Sequence, residues 1–330
     1  MSSEIEKVIG FQLPDRPVTW FKRDLILYAL GVGAKNTEDD LPFVYGKPTI
    51  SLTIPRTVDK FIVDPNFAAL PTYPVVLTFK GDSQELNLFA DRMKGDNIPG
   101  MPRVDPNRIV HGSQSIEVLK ALPLVSGSGW KWKTRYTGIS ENKTGVVLTA
   151  ESTLVDPKNV AYAKLYSSSF NIGMKIAGNK FNKTIAGPPQ AKPIPENKKP
   201  DWVYTDETST HQALIFRLSG DYNPLHIDPA IGQAAGFGGV ILHGLSTFGF
   251  AARGLLKTVC GNKPEALKLF GVRFTSPVKP GDALETQIWE VGPGPNGTTE
   301  VTFVTKNLRT GKNALGGGIA YIVKSPSAKL

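Results

Sequence analysis

Cysteine and histidine are scarce in this sequence. Its 330 residues include one cysteine, Cys260, and four histidines. A single cysteine excludes an intramolecular disulfide framework and any cysteine-based zinc cage. The histidines are scattered and show no metal-ligand spacing, so we expect no metal site. No GxGxxG motif opens a helix after a strand, and we therefore expect no nicotinamide cofactor.

Long hydrophobic runs are also missing. The longest apolar stretches, "VVLTFKG" and "GVILHGLSTFGFAARGLL", are too short or too interrupted to cross a bilayer. The N-terminal "MSSEIEKVIG" lacks the apolar centre of a signal peptide. The sequence therefore predicts no membrane span and no export by that route.

A concentrated basic patch is the third absence. The net charge is +9, but the densest basic run stands among Pro, Asn and Gly, with no aromatic residues between its lysines: Lys180, Lys183, Lys192, Lys198 and Lys199. Such a pattern is typical of a solvated linker rather than of a surface that binds nucleic acid. We expect no nucleic-acid partner. A small ligand that carries a few phosphates is compatible with the positive excess.

The composition and length suit a globular protein of two domains. Hydrophobic residues make up 40% of the chain and charged residues 20%. Residues 179–200 are rich in Pro, Lys and Asn and have almost no periodic apolar content. We predict an N-terminal domain over 1–178, a linker over 179–200 and a C-terminal domain over 201–330.

The two halves of the sequence resemble diverged repeats of one unit. "FKRDLILYALGVGA" parallels "HQALIFRLSGDYN", and "RIVHGSQSIEVLKALP" parallels "LKLFGVRFTSPVKPGDALETQIW". "GVVLTAESTLVDPKNVAYAKLYSSSF" parallels "EVTFVTKNLRTGKNALGGGIAYIV", and both alternate like a pair of strands around a polar turn. These matches occur in the same order along the chain.

An apolar helix is predicted in the second half, from Leu242 to Val259. It contains several small residues, and three or four strand-like segments follow it. A helix this apolar must be buried, and antiparallel strands that wrap it would bury it. The "VKPGD" segment supplies a turn between two of those strands. This is a hot-dog arrangement, and the predicted class is α+β.

Three polar residues that suit acid-base chemistry lie close together: Asp221, Asn223 and His226. Pro224 biases Asn223 toward extended geometry, which makes a loop rather than a helix. A carboxylate and an imidazole can both exchange protons near neutral pH, and an amide can hold a water molecule without changing its charge. The same residues would also suit a capped turn with a surface histidine.

A glycine-rich bend, Gly236 to Gly239, leads from this loop to the start of the apolar helix at His243 and Gly244. The first amides of a helix have no partner within it and lie at the positive end of its dipole. Glycine there would let a carbonyl oxygen approach, as in an oxyanion hole worth ~3 kcal/mol in a transition state. We expect His243 to be structural. The loop and the helix start together favour the addition or removal of water beside an activated carbonyl.

The segment "FRLSGDYNPLHIDPAIGQAAGFGGVILHGLSTFGFAAR" is similar to the signature of the 2-enoyl-CoA hydratase 2 family. These are MaoC-like (R)-specific enoyl-CoA hydratases, found also as the hydratase part of peroxisomal multifunctional enzyme type 2. The resemblance continues into "VRFTSPVKPGDALETQIW", and in the first half it includes "RDLILYALGVGA", "LPFVYG" and "IVHGSQSIEVLKALP". It covers nearly the whole chain.

The resemblance implies a double hot-dog fold, two hot-dog repeats with antiparallel sheets each wrapped around a helix, in a homodimer. It implies reversible syn addition of water to trans-2-enoyl-CoA, giving (3R)-3-hydroxyacyl-CoA in fatty-acid β-oxidation. No cofactor is implied, because coenzyme A is part of the substrate. By motif match, the catalytic residues would be Asp221, His226, Asn223 and Gly244. The acyl-CoA contacts would be His111, Gly112, Lys143, Tyr222, Pro224, Leu225 and Phe274, with Asn142 an alternative to Lys143.

The sequence departs from the family pattern at Ser113, where the family usually has Glu, and the lining of the acyl or pantetheine path there is open. The first half lacks the histidine of the Asp-x-Asn-x-x-His motif, so we expect one catalytic repeat, the C-terminal one, and an N-terminal repeat that accommodates the acyl-CoA. Alternatives are a MaoC-type dehydratase of a specialised acyl-thioester pathway, a thioesterase, and a non-catalytic acyl-CoA binding protein.

The final residues Ala328, Lys329 and Leu330 resemble the Ser-Lys-Leu peroxisomal address. This pattern predicts a peroxisomal location and the peroxisomal import receptor as a partner.

Overall fold

Eleven strands form the framework of the described part of the protein. The structure is a computed structural model that describes residues 2–45, 67–86, 98–101, 104–105, 108–176 and 180–324. The strands are β1 (Arg16–Pro17), β2 (Ile109–Val118), β3 (Lys131–Asn142), β4 (Gly145–Val155), β5 (Ala161–Ile172), β6 (Asn182–Thr184), β7 (Trp202–Glu207), β8 (Leu267–Phe274), β9 (Ala283–Pro293), β10 (Thr299–Asn307) and β11 (Asn313–Ile322). The predicted hairpins around the polar turns are confirmed as β4–β5 and β10–β11.

All eleven strands belong to one antiparallel sheet. Its order is β1-β3-β4-β5-β2-β8-β11-β10-β9-β7, with β6 paired to β3. Strands β2 and β8 occupy corresponding positions in the two sequence halves. They pair with each other and so join the halves edge to edge, with Ser113 opposite Arg273 and Glu117 opposite Leu269. The two predicted sheets are therefore continuous, and neither half exposes the strand edge at this junction.

Seven helices accompany the sheet in the part of the chain that is described. They are α1 (Ser2–Ile5), α2 (Lys22–Gly31), α3 (Leu41–Val44), α4 (Pro74–Lys80), α5 (Gln212–Phe216), α6 (Pro229–Ala234) and α7 (Gly244–Val259). The apolar helix predicted from Leu242 to Val259 is thus confirmed as α7, and thirteen of its sixteen residues are buried. The α+β class and the double hot-dog fold are confirmed.

Helix α7 packs against strands β7, β8, β9 and β11 of the second half. Its small residues permit close approach by neighbouring elements. A Cβ atom added at Gly249 would lie 2.2 Å from Cγ1 of Val32, and one added at Gly254 would lie 2.4 Å from Cδ1 of Tyr204. The helix is therefore fitted to the first half as well as to the sheet, because Val32 follows α2 directly.

An ion network fixes the middle of α7. Arg253 is 1% exposed, and its guanidinium bonds to the carboxylates of Asp40 and Asp206. Its Nε also donates to the carbonyl of Val32 at 3.1 Å. Lys257 adds a second ion pair to Asp40, with Nζ 3.1 Å from Oδ1. A buried charge needs such partners, since an unpaired one costs several kcal/mol.

The first half has a much shorter helix on its sheet. Helix α4 has seven residues, compared with sixteen in α7. A cavity of about 850 Å³ opens beside it, lined by apolar side chains that include Phe67, Leu70, Val118, Leu122 and Leu124. Its lining from the second half consists of residues after the end of α7, Asn262 to Glu265 and Lys268, so the cavity lies at the opposite end of that helix from Gly244.

The predicted linker is partly ordered against the first half. Residues Asn182–Thr184 form β6 and pair with β3, where they cover part of an edge that would otherwise be open. Linker lysines make ion pairs: Lys183 with Glu6, Lys192 with Glu300 and Lys198 with Asp201. The linker therefore contacts both halves, while most of its side chains stay exposed as in a solvated linker.

Among the helices of the described residues, none combines the length and apolar character that crossing a bilayer requires. The peroxisomal address at Ala328, Lys329 and Leu330 lies outside the described residues.

The close fit of α7 at Gly249 predicts a large loss of stability in the Gly249→Val variant. The added side chain would overlap Val32, so α2 and α7 would have to separate, and we expect the free energy of unfolding to fall by about 3 kcal/mol. Urea unfolding measures this change. Gly187→Val is the control, because no atom lies within 4 Å of a Cβ at that position. Equal stabilities of the two variants would contradict this packing.

Candidate active site

The loop from Gly220 to His226 carries the three polar residues that the sequence singled out. Gly220 has φ of +121°, and a Cβ there would lie 2.6 Å from the backbone nitrogen of Lys80, so only glycine fits. Asn223 is extended, with φ −56° and ψ 120°, as the following proline predicts. Its side-chain oxygen accepts from the amide of Leu225 at 3.0 Å. A short 3-10 turn, Pro224–His226, then ends the motif, in the segment that the sequence predicted as a loop rather than one helical face.

His226 is buried, with 8% of its surface exposed. Its Nδ1 lies 2.9 Å from the carbonyl oxygen of Ile241, and because a carbonyl only accepts, Nδ1 carries the proton. Nε2 is then the acceptor nitrogen of a neutral ring. Burial lowers the pKa of His226 below its usual value, although the carboxylate of Asp221 and the Ile241 carbonyl oppose this shift. The ring is therefore a neutral base at physiological pH.

His243 lies against His226. The two ring centroids are 3.7 Å apart with an angle of 28° between the planes, which is a stacked arrangement. His243 is 1% exposed, and its Nε2 donates to the backbone carbonyl of Asp221 at 3.1 Å. Burial lowers the pKa of His243 well below its usual value, and the neighbouring His226 lowers it further.

The donor atoms of Asp221, His226 and His243 all lie within 4.8 Å of one another. Asp221 is half-buried, so its carboxylate can meet a molecule that enters from solvent while the two imidazoles form the floor. In each of the two imidazoles, one ring nitrogen is bonded to a backbone carbonyl. Because the planes of the two rings are nearly parallel, the other nitrogen of His226 and the other nitrogen of His243 do not point toward a common position. The geometry suits a shared water molecule. That the chain has no metal site stays a prediction.

Gly244 begins α7 immediately beside this cluster, as the sequence predicted. A Cβ atom added at Gly244 would lie 3.1 Å from the ring of Phe274. The space between the helix start and this ring is therefore narrow, and only a small group can enter it. The ring of Phe274 lies 4.6 Å from that of His111, centroid to centroid. The β2–β8 junction thus brings a first-half histidine to the start of the second-half helix.

His111 and Gly112 lie at an irregularity in β2. The register with β5 shifts between His111 and Ser113, which places Gly112 in a bulge, and such bulges re-aim side chains. His111 Nε2 lies 3.0 Å from Oγ of Ser167, and burial lowers the pKa of His111 to about 4. Ser113, the position of departure from the family, lies 2.6 Å from Ser168 between hydroxyl oxygens.

The other predicted substrate contacts lie in different surroundings. Tyr222 is half-buried, with the guanidinium of Arg217 5.0 Å from its ring centroid. Pro224 and Leu225 belong to the 3-10 turn and are also half-buried. Lys143 is exposed in the β3–β4 turn. Asn142, its alternative, is occupied as a turn former, since its side-chain oxygen accepts from the amides of Thr144 and Gly145.

Two groups at the site were missed by sequence reasoning. The carbonyl of Ile241 sets the tautomer of His226, and the hydroxyl of Ser167 bonds to His111. A backbone carbonyl is available at any residue type, so the sequence contains no signal for the first. The contact of the Ser167 hydroxyl with His111 follows only from the register in which β2 pairs with β5.

Comparison with known proteins matches both halves of the chain. Residues 59–173 match the MFE-2 hydratase 2 N-terminal domain family, and residues 191–313 match the MaoC like domain family. A probable enoyl-CoA hydratase 2 from Dictyostelium discoideum is 32% identical over 333 residues, which cover 98% of this chain and 97% of that protein.

Two further relatives extend the comparison. The peroxisomal multifunctional enzyme type 2 of Drosophila melanogaster is 34% identical over 93% of this chain, which spans 46% of that protein's length. The crystal structure of a MaoC-like dehydratase from Phytophthora capsici superposes with a TM-score of 0.82 at 33% identity, covering 98% of this chain and 99% of that one. The resemblance found in the sequence is thereby confirmed: this chain belongs to the MaoC-like enoyl-CoA hydratase 2 family.

Proposed function

We propose that the protein is an (R)-specific 2-enoyl-CoA hydratase, a hydro-lyase of fatty-acid β-oxidation. It adds water reversibly and syn to trans-2-enoyl-CoA and gives (3R)-3-hydroxyacyl-CoA. The observation that carries this proposal is the approach of the Asp221 carboxylate and the His226 ring to within 4.8 Å, beside the start of α7. A base, an acid and a site for the thioester oxygen are what hydration of an activated double bond requires.

The tautomer of His226 supports its role as the base. With the proton on Nδ1, the lone pair of Nε2 takes a proton from the water as its oxygen bonds to C3 of the enoyl chain. A proton is then delivered to C2 on the same face, from the Asp221 and His226 pair. The side-chain nitrogen of Asn223 holds the water, since its oxygen caps the turn. The Gly244 amide binds the thioester oxygen and stabilises the enolate-like charge.

Groups from the first half complete the substrate site in this proposal. His111, Gly112 and Phe274 line the approach to Gly244, while Tyr222, Pro224 and Leu225 contact the substrate beside the loop. The exposed cation of Lys143 suits the phosphates of coenzyme A. The short helix α4 supports a first half that accommodates the acyl chain and a second half that contains the acid-base residues.

The proposal includes further statements about the whole protein. Its domains are 1–178 and 201–330 with the linker 179–200, it acts as a homodimer, and it needs no cofactor. The peroxisomal names of relatives and the Ala328, Lys329 and Leu330 address support a peroxisomal location reached through the import receptor.

A second candidate is a MaoC-type dehydratase of a specialised acyl-thioester pathway. It is favoured by the similarity to the Phytophthora capsici structure, which is named a dehydratase. Because a catalyst accelerates both directions, the two candidates differ in the substrate supplied rather than in the chemistry of the site.

The acid-base pair predicts that Asp221→Asn and His226→Gln each lower kcat for a medium-chain trans-2-enoyl-CoA by about 10²- to 10⁴-fold. Both variants keep the size of the side chain but remove the group that exchanges the proton. Loss of enoyl-thioester absorbance measures the rate. His211→Gln is the control, because His211 is exposed at the start of α5, whereas the catalytic loop follows the end of that helix. Wild-type rates in either variant would exclude this mechanism.

The family assignment predicts the chirality of the product. From trans-2-decenoyl-CoA we expect (3R)-3-hydroxydecanoyl-CoA alone, because the water and the thioester oxygen are held on fixed sides of the chain. Chiral chromatography of the hydrolysed acid measures this. A (3S) product would contradict the proposed function, and release of free coenzyme A would indicate a thioesterase.

The buried environment of His226 predicts the pH dependence of kcat/KM. Because burial lowers its pKa below 6.5, the neutral base persists below that pH, and activity is lost only as pH falls through the lowered pKa. We expect a plateau that extends below pH 6.5, followed at lower pH by a tenfold fall per pH unit. Recovery of activity on return to pH 7.5 separates this from unfolding. A midpoint above 6.5 would contradict the assignment of His226 as base.

A further inference from the structure

His243 contacts three parts of the site without a place in the chemistry proposed above. Its ring lies between that of His226, with centroids 3.7 Å apart, and that of Phe216, with centroids 4.9 Å apart. Its Nε2 donates to the carbonyl of Asp221. It is also the residue directly before Gly244, so its backbone leads into the first turn of α7.

The hydrogen bond from Nε2 of His243 fixes the tautomer of the ring, and the surroundings of Nδ1 fix its charge. The proton lies on Nε2, since the Asp221 carbonyl can only accept. Nδ1 is buried and has no hydrogen-bond partner among the described residues. A proton added there would be a buried charge without an acceptor, close to His226 and Arg217. The ring is therefore held neutral.

We propose that His243 is a positioning residue for the hydration reaction, which ties the Asp221 backbone and the His226 ring to the helix start that presents the Gly244 amide. This inference rests on the proposed function and deepens it. One ring sets the spacing between the carboxylate and the imidazole of the Gly220–His226 loop and the amide at the start of α7, which lie on two separate segments of the chain. A shift of about 1 Å between such groups can lower a rate by about 10²-fold.

The titratable and charged groups that face the ring are Asp221 in the loop, His226 in the 3-10 turn and Arg217 in the turn after α5. None of these is replaced when His243 is changed. Any effect of a His243 variant on the reaction is therefore transmitted through the positions of Asp221, His226 and the Gly244 amide. A positioning effect lowers kcat and leaves KM nearly unchanged, because the contacts proposed for coenzyme A lie elsewhere.

Three variants separate the two contacts of the ring. His243→Gln keeps an N–H donor but loses the ring, His243→Phe keeps the ring but loses the donor, and His243→Ala loses both. We expect the Ala variant to lower kcat by about 10²-fold with KM changed less than about threefold. The Gln and Phe variants are each expected to retain at least about tenfold more activity than Ala. His211→Gln serves as the matched control and keeps wild-type kinetics.

Two kinetic results would overturn the inference. One is a kcat for His243→Ala within about threefold of wild type, and the other is a rise in KM that accounts for the whole loss in kcat/KM. Circular dichroism and thermal unfolding of each variant exclude misfolding as the cause. If the Ala variant does not fold, the Gln and Phe variants take its place, and activities of both equal to wild type overturn the inference.

Imidazole NMR of the wild-type protein, with nitrogen-15 in its histidines, tests the same geometry without catalysis. The four histidines are assigned from single His variants. We expect His243 as the neutral Nε2–H form from pH 5 to 8 and His226 as the Nδ1–H form at pH 8. A protonated His243 at pH 6, or its Nδ1–H form, overturns the inference. A wild-type protein that shows the expected forms but hydrates no enoyl-CoA refutes the proposed function instead.

Discussion

The burial of α7 is the constraint on which the rest of the structure depends. A sixteen-residue helix with thirteen buried residues needs cover on all sides, and the second-half strands together with α2 provide it. The first amides of a helix need partners outside its regular bonding, and here the carbonyl of His243 accepts from the amide of Ser246. Gly244 lies one residue after His243, at the edge of the polar loop.

The junction of β2 with β8 explains why the site draws on both halves. Phe274 ends β8, and the neighbouring strand places His111 against its ring. Neither half alone would bring an imidazole from β2 to the start of α7. The bulge at Gly112 adds a local change of direction to the strand at the same place. The sheet therefore acts as a shared floor for a site whose acid-base pair comes from the second half and whose floor includes His111 from the first.

Much of this arrangement was predictable because it depends on local chemistry. The apolar pattern and small residues predicted α7, and Pro224 predicted the extended Asn223. The contacts that orient the histidines were not predictable. The bonds from His226 to the Ile241 carbonyl and from His243 to the Asp221 carbonyl use backbone acceptors, which any residue type could provide. The edge pairing of β2 with β8 likewise depends on register, for which the sequence shows no motif.

The loop after α2 explains why only the second half contains the acid-base residues. This loop, "GAKNTEDD", stands in the first half where the Asp-x-Asn-x-x-His motif stands in the second. Its last acid, Asp40, is fully buried and bonds to Arg253 and Lys257 of α7. A carboxylate held by two cations in the interior is unavailable to a substrate, and removing it would leave Arg253 with one fewer partner in a buried site. Asp40 of the first half thus anchors α7. Asp221 of the second half lies near the opposite, N-terminal end of that helix, where it meets the solvent.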